Sequence, residues 1–166
     1  MSEETLVIDS STLISLEKSD LLNFLDNINF KLLIPESVKK ETRGICDSFG
    51  KISTRAISGN TLKLSRDLQK IGIGTGEADC VALAKSLKLK FVVCDDRKLI
   101  RQVFFSKNKN LRVLRVLGFS FLLDKFFRDK LVDDIWKTFD NVIKRNNWER
   151  SVVQIYNYAF LKKLGY

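Results

Sequence analysis

Four short apolar runs, each followed by a segment of helical character, constrain this 166-residue chain more than any other feature. They are 5–9 (TLVID), 31–34 (KLLI), 91–94 (FVVC) and 111–116 (LRVLRV), each the length of a buried strand. Helices are expected after them: from a cap at Ser10 or Ser11 to Lys18, from Pro35 to a stop at Gly44, and over 95–106. The Ala-rich stretch 77–87, which follows the Gly-rich loop IGIGTG, predicts a further amphipathic helix. Strand–helix alternation of this kind implies a parallel sheet covered by helices on both faces. The expected fold is therefore a three-layer α/β/α domain with a central, mostly parallel sheet over 1–125. From Leu117 onward the pattern is helical, in three pieces, and residues 126–166 are expected to form a helical extension packed on the same domain. Residues 47–70 are weakly patterned, with a short helix and the stretch TLKLSR the only readable signals.

Composition removes whole classes of chemistry. The chain has no histidine, which excludes imidazole acid–base catalysis, Ser-His-Asp and Cys-His nucleophiles and His-based zinc sites. Its three cysteines, at 46, 80 and 94, form no CxxC pair, so they read as small core residues of a reducing compartment. The longest uncharged stretch, 151–161, has eleven residues and includes Gln154 and Asn157, whereas a spanning helix needs roughly twenty apolar ones. No secretory leader is visible in the first twenty residues. A cytoplasmic protein that engages no membrane is the expectation.

Charge is unevenly placed. Residues 1–96 carry 13 Lys/Arg and 14 Asp/Glu, net −1, and residues 97–166 carry 16 and 6, net +10. A cationic flank beside a neutral-to-acidic half points to a polyanionic partner.

The acids lie where strands end. Asp9 closes the first run, Asp95 and Asp96 follow FVVC, Glu77 and Asp79 open the Ala-rich helix, and Glu41 lies on the helix after KLLI. Ligand sites of open α/β sheets form at the carboxyl ends of the strands. An all-carboxylate group suits Mg²⁺ or Mn²⁺. Two carboxylates ~5 Å apart repel by roughly 3 kcal/mol at an effective dielectric of ~20, so such a group calls for a cation. Each acid also has a plain structural role open to it. Asp9 could be a turn residue, Asp95 a helix cap, Asp79 a first-turn acid and Glu41 an exposed helix residue. Glu77 and Asp79 diverge by ~200° on a regular helix, so both reach one site only if Glu77 lies at the first turn.

These same segments resemble the PIN-domain family. VIDSSTLI is similar to its opening strand, with Ser11 two residues after the Asp, and IPESVKKE places Glu41 at the second acid. GTGEADCVALA resembles the segment that carries the third acid, Glu77, with Asp79 as a possible helper. FVVCDDRK resembles the strand and acid pair that complete the site, with either Asp95 or Asp96 as the last ligand. The resemblance covers residues 4–125. It implies a Mg²⁺- or Mn²⁺-dependent ribonuclease in which Asp9, Glu41, Glu77 and Asp95 are catalytic, with Asp79 and Asp96 as further candidate ligands. It also implies an RNA substrate and, for many small stand-alone members, an antitoxin partner as in VapC-like toxins. A silent scaffold that keeps the fold without turnover is the other reading.

Phosphate contacts are expected from Arg97, Lys98 and Arg101 after the acid pair, from Lys39, Lys40 and Arg43 around Glu41, and from Ser11. Phe104, Phe105, Phe119, Phe121, Phe126 and Phe127 read as core or interface. Adjacent pairs such as 104–105 and 126–127 suggest that part of this surface pairs two copies in a homodimer.

Overall fold

The first apolar run sits at the centre of the sheet. In the computed structural model, which describes residues 4–105 and 114–166, β1 (Glu4–Ile8) buries Leu6, Val7 and Ile8 completely. It pairs in parallel with β2 (Phe30–Pro35) on one side and β4 (Phe91–Val93) on the other. β3 (Ile52–Arg55) adds to β2, and β5 (Arg115–Leu117) to β4, giving a five-stranded, all-parallel sheet in the order β3-β2-β1-β4-β5. Full burial of each Leu, Ile or Val in these strands contributes about 1.5–3 kcal/mol, which fixes their place between two helical layers. The chain builds leftward from β1 to β3, then crosses to β4 and β5. The strand order therefore reverses between β1 and β4.

The helices are α1 (Ser10–Lys18), α2 (Glu36–Glu41), α3 (Gly59–Lys70), α4 (Thr75–Ser86) and α5 (Arg97–Phe105), followed by α6 (Phe119–Arg128), α7 (Ile135–Arg145) and α8 (Val152–Lys163). They flank the sheet on both sides. The small side chains of α4 bring it close to the strands, with Ala78, Cys80, Val81, Ala82 and Ala84 all fully buried. The last three helices share the same core. Phe119 stacks on Phe139 at 5.5 Å, and Phe126 meets Phe24 edge-on at 5.6 Å. Asp134 and Ser151 cap α7 and α8 by accepting from the Lys137 and Gln154 amides.

Several expectations are corrected. The fifth strand, β3, was not readable because ISTR is half-exposed at a sheet edge and carries little apolar signal. The helix after β2 stops at Glu41, and Gly44, in the left-handed region (φ 87°), leads into a short 3₁₀ turn. Pro35 is the last residue of β2 and precedes α2 instead of opening it. The late strand lies at Arg115–Leu117, and 111–113 are outside the described residues, as are 106–110 and the side chain of Phe104. Phe126 and Phe127 both find partners within the chain, Phe24 and Tyr166, since Tyr166 reaches back to meet Phe127 at 5.5 Å. Phe105 is 85% exposed.

Gly118, which precedes α6, shows how tightly α8 is keyed into this layer. A Cβ there would lie 2.6 Å from Nδ2 and 2.7 Å from Cγ of Asn157, a fully buried residue held by hydrogen bonds at both ends of its amide. The amide cannot step aside. Gly118→Ala is expected to cost about 1–3 kcal/mol in urea unfolding, whereas Gly50→Ala, with open space around it, should stay within about 0.5 kcal/mol of wild type.

Candidate active site

The carboxyl ends of β1 and β4 meet where the strand order reverses, and the acids of the chain gather there. Asp9 follows β1 and is itself the N-cap of α1, a role the sequence had assigned to Ser10 or Ser11. Its Oδ2 accepts from the Ser11 amide at 3.1 Å and from the Ser11 hydroxyl at 2.7 Å. The Cys94 thiol donates to the same oxygen at 3.4 Å, and the Cys80 thiol reaches Oδ1 at 3.8 Å. Burial, with Asp9 beside them, pushes both thiols well above their ordinary pKa, so they remain protonated donors. Burial also raises the pKa of Asp9 itself, and the bonds from Ser11 oppose that rise.

The two acids after β4 take opposite roles. Asp95 is buried and turned inward. It accepts from Thr12 Oγ1 at 2.6 Å, from the Phe119 amide at 3.0 Å and from Asn157 Nδ2 at 2.9 Å. Desolvation nevertheless lifts its pKa to about 6. Asp96 is half-buried, accepts from the Leu99 amide at 2.8 Å to cap α5, and lies near enough to Glu77 to act on its carboxyl.

Glu77 is the third residue of α4, in its first turn, because the helix starts at Thr75, two residues before the sequence signal. Its pKa is raised from 4.5 to about 7. Partial burial is the largest cause and Asp9 the next, with Asp96 and Glu41 adding to the rise and a backbone amide hydrogen bond opposing it. Glu41, the last residue of α2, is exposed and receives the Ser10 hydroxyl at 2.5 Å. Its carboxylate lies where a Cβ on Gly76 would stand, at 2.8 and 2.9 Å, so the glycine makes room for the acid.

The structure thus brings Asp9, Glu41 and Asp96 near enough to Glu77 for each to raise its carboxyl. It takes Asp79 out of that group. Both Asp79 oxygens are held elsewhere, by the Ser37 hydroxyl of α2 at 2.6 Å and the Ser65 hydroxyl of α3 at 2.5 Å, the divergence expected two residues along a regular helix. It ties three helices together.

Among the predicted basic residues, Lys39 pairs with Asp47 at 3.1 Å. Lys40, Arg43, Arg97, Lys98 and Arg101 are exposed, the last three on α5 directly after Asp96. Sequence reasoning missed Ser10, Thr12, Cys80, Cys94 and Asn157. Of these, Asn157 had a readable signal, a lone amide between Val153 and Leu161 at helical i±4 spacing on a buried face.

Among the described residues, no three acids or cysteines stand close enough to coordinate one ion in this arrangement. The donor set is nevertheless all oxygen and unmatched by any cation, which is the chemistry a hard divalent ion requires.

A family profile for the PIN domain matches residues 5–160. The chain belongs to the PIN-domain family. Among curated proteins none matches it. PIN domains are generally nucleases and typically use divalent metal ions. The match runs well into α8, so it takes in the C-terminal helices as well as the sheet.

The raised carboxyl groups set the sign of a pH effect. The folded PIN domain holds the Glu77 proton more tightly than the unfolded chain, so that contribution is present below pH 4.5 and lost as pH rises through 7. Asp95 and Asp9 act in the same direction. Metal-free stability should therefore fall between pH 5 and 8. Glu77→Gln should flatten the fall and be more stable than wild type at pH 8 by about 1–2 kcal/mol, measured by urea unfolding in chelator-treated buffer.

Proposed function

We propose that this PIN domain is a metal-dependent endoribonuclease in which Asp9, Glu41, Glu77 and Asp96 hold Mg²⁺ or Mn²⁺. The observation that carries the reading is the convergence of acids from β1, α2, α4 and the β4–α5 junction on the switch point of the sheet, where Asp9, Asp96 and Glu41 add to the rise that burial gives Glu77. Asp95, first counted among the catalytic acids, leaves the set because four donor contacts already occupy its two oxygens. Asp79 leaves it because Ser37 and Ser65 hold it.

A divalent ion held by these acids supplies Lewis acidity toward the phosphoryl oxygens and activation of water. The chain supplies the rest. Ser11 and the two thiols fix the direction of the Asp9 carboxylate, and Ser10 fixes Glu41. Arg97, Lys98 and Arg101, together with Lys40 and Arg43, take phosphates of the strand on either side of the scissile bond. Lys39, engaged with Asp47, contributes less. A protein partner such as an antitoxin, or a second copy of the chain, is proposed from the family resemblance alone. The exposed Ile155 and Tyr158 of α8 offer it an apolar surface.

End-labelled RNA of mixed sequence tests the activity. Cleavage is expected with Mn²⁺ or Mg²⁺ and not with EDTA, and Asp9→Asn and Glu77→Gln should each lose at least about 100-fold. Arg97→Ala and Lys98→Ala should each reduce the slope of log K against log salt for RNA binding by about 1. Cleavage that persists unchanged in EDTA, or in Asp9→Asn, contradicts the reading.

A further inference from the structure

Asn157 is a fully buried amide in the middle of the C-terminal helix, and it bonds directly to Asp95, the first of the two acids after β4. Its Nδ2 donates to Asp95 Oδ1 and to the Val153 carbonyl, both at 2.9 Å. Its Oδ1 accepts from the Ser120 amide at 3.0 Å and from the Ser120 hydroxyl at 2.7 Å. All four hydrogen-bonding positions of the amide, two N–H donors and two oxygen lone pairs, are thereby used inside the protein. Gly118, which lacks a Cβ, leaves the space the amide occupies.

Asp95 is consequently drawn inward from three elements at once: Thr12 on α1, the Phe119 amide at the start of α6, and Asn157 on α8. The Ser11 hydroxyl also accepts from the Asp95 amide at 3.0 Å, which fixes the backbone there. Asp96 is the next residue along this anchored backbone. It caps α5 by accepting from the Leu99 amide at 2.8 Å, and it lies near enough to Glu77 to add to the rise of that carboxyl.

We propose that Asn157 is a positioning residue of the acid group, which aims Asp96 at Asp9 and Glu77 by holding Asp95 in the interior. The proposal rests on the reading of that group as a divalent-cation site. It also makes the C-terminal helix a component of the site, although α8 contributes no acid to it.

Two readouts test it, each in Asn157→Leu, in the isosteric Thr12→Val, and in Leu161→Ala, which removes an equally buried side chain of the same helix that touches no acid. The first is Mn²⁺ binding to the full chain by calorimetry. Asn157→Leu and Thr12→Val are expected to weaken it at least tenfold, and Leu161→Ala less than threefold. The second needs no metal. The non-additivity of Asp96→Asn and Glu77→Gln in urea midpoint, measured in chelator-treated buffer at pH 8, should fall by at least half in the Asn157 and Thr12 backgrounds and persist in Leu161→Ala. If Asn157→Leu and Thr12→Val match Leu161→Ala in the metal-free cycle, or if wild type shows no coupling between Asp96 and Glu77, the proposal is overturned. If wild type shows the coupling but binds no Mn²⁺, the nuclease reading falls, and the metal-free cycle still decides whether Asn157 aims Asp96. Should Asn157→Leu not fold, Thr12→Val decides alone.

Discussion

Repulsion among carboxylates is the constraint around which this end of the molecule is built. Each pair at about 5 Å costs roughly 3 kcal/mol at an effective dielectric near 20, and four acids are gathered here without a lysine or arginine salt bridge to any of them among the described residues. Helix N-termini offset part of that cost. Asp9 caps α1, Asp96 caps α5, Asp95 accepts from the first amide of α6, and Glu77 lies in the first turn of α4. Each cap or first-turn acid contributes about 0.5–2 kcal/mol and places a carboxylate against the positive end of a helix dipole. Glu41 has no such support, since it ends α2, and a neutral hydroxyl from Ser10 stands in for it. Glu77 carries part of the remaining cost: burial raises its carboxyl most, and Asp9, Asp96 and Glu41 add to the rise.

The parallel sheet makes the convergence unavoidable. With every strand running the same way, all the strand ends and the helix starts that follow them fall on one edge, and the reversal of order between β1 and β4 opens a crevice there. α4, narrow because its inner face is Ala and Cys, brings Glu77 into that crevice. The C-terminal helices cover one layer of the core and also reach the site through Asn157.

Much of this was legible in the residues. Runs such as LVI and FVVC are apolar enough to specify central strands, and the Asp that follows each of them marked one edge of the sheet for the candidate acids. β3 was hidden because an edge strand needs little apolar content. The choice between Asp95 and Asp96 was not legible, because it depends on which of two adjacent acids meets Thr12, Asn157 and the Phe119 amide, partners 24 to 83 residues away. Asp79 misled for the opposite reason. The family resemblance offered it as a helper although its spacing from Glu77 sets the two ~200° apart on a regular helix, and the Ser37 and Ser65 hydroxyls hold it facing the other way.

The account stands on the acids being close enough to feel one another. Carboxyl ¹³C chemical shifts of Glu77, followed against pH in metal-free protein, measure this directly. A midpoint near 7 is expected, falling part of the way toward 4.5 when Asp9 is replaced by Asn, since burial still holds it up. A midpoint near 4.5 in both proteins would mean that Glu77 is solvated and apart from Asp9, and would contradict the acid group as described.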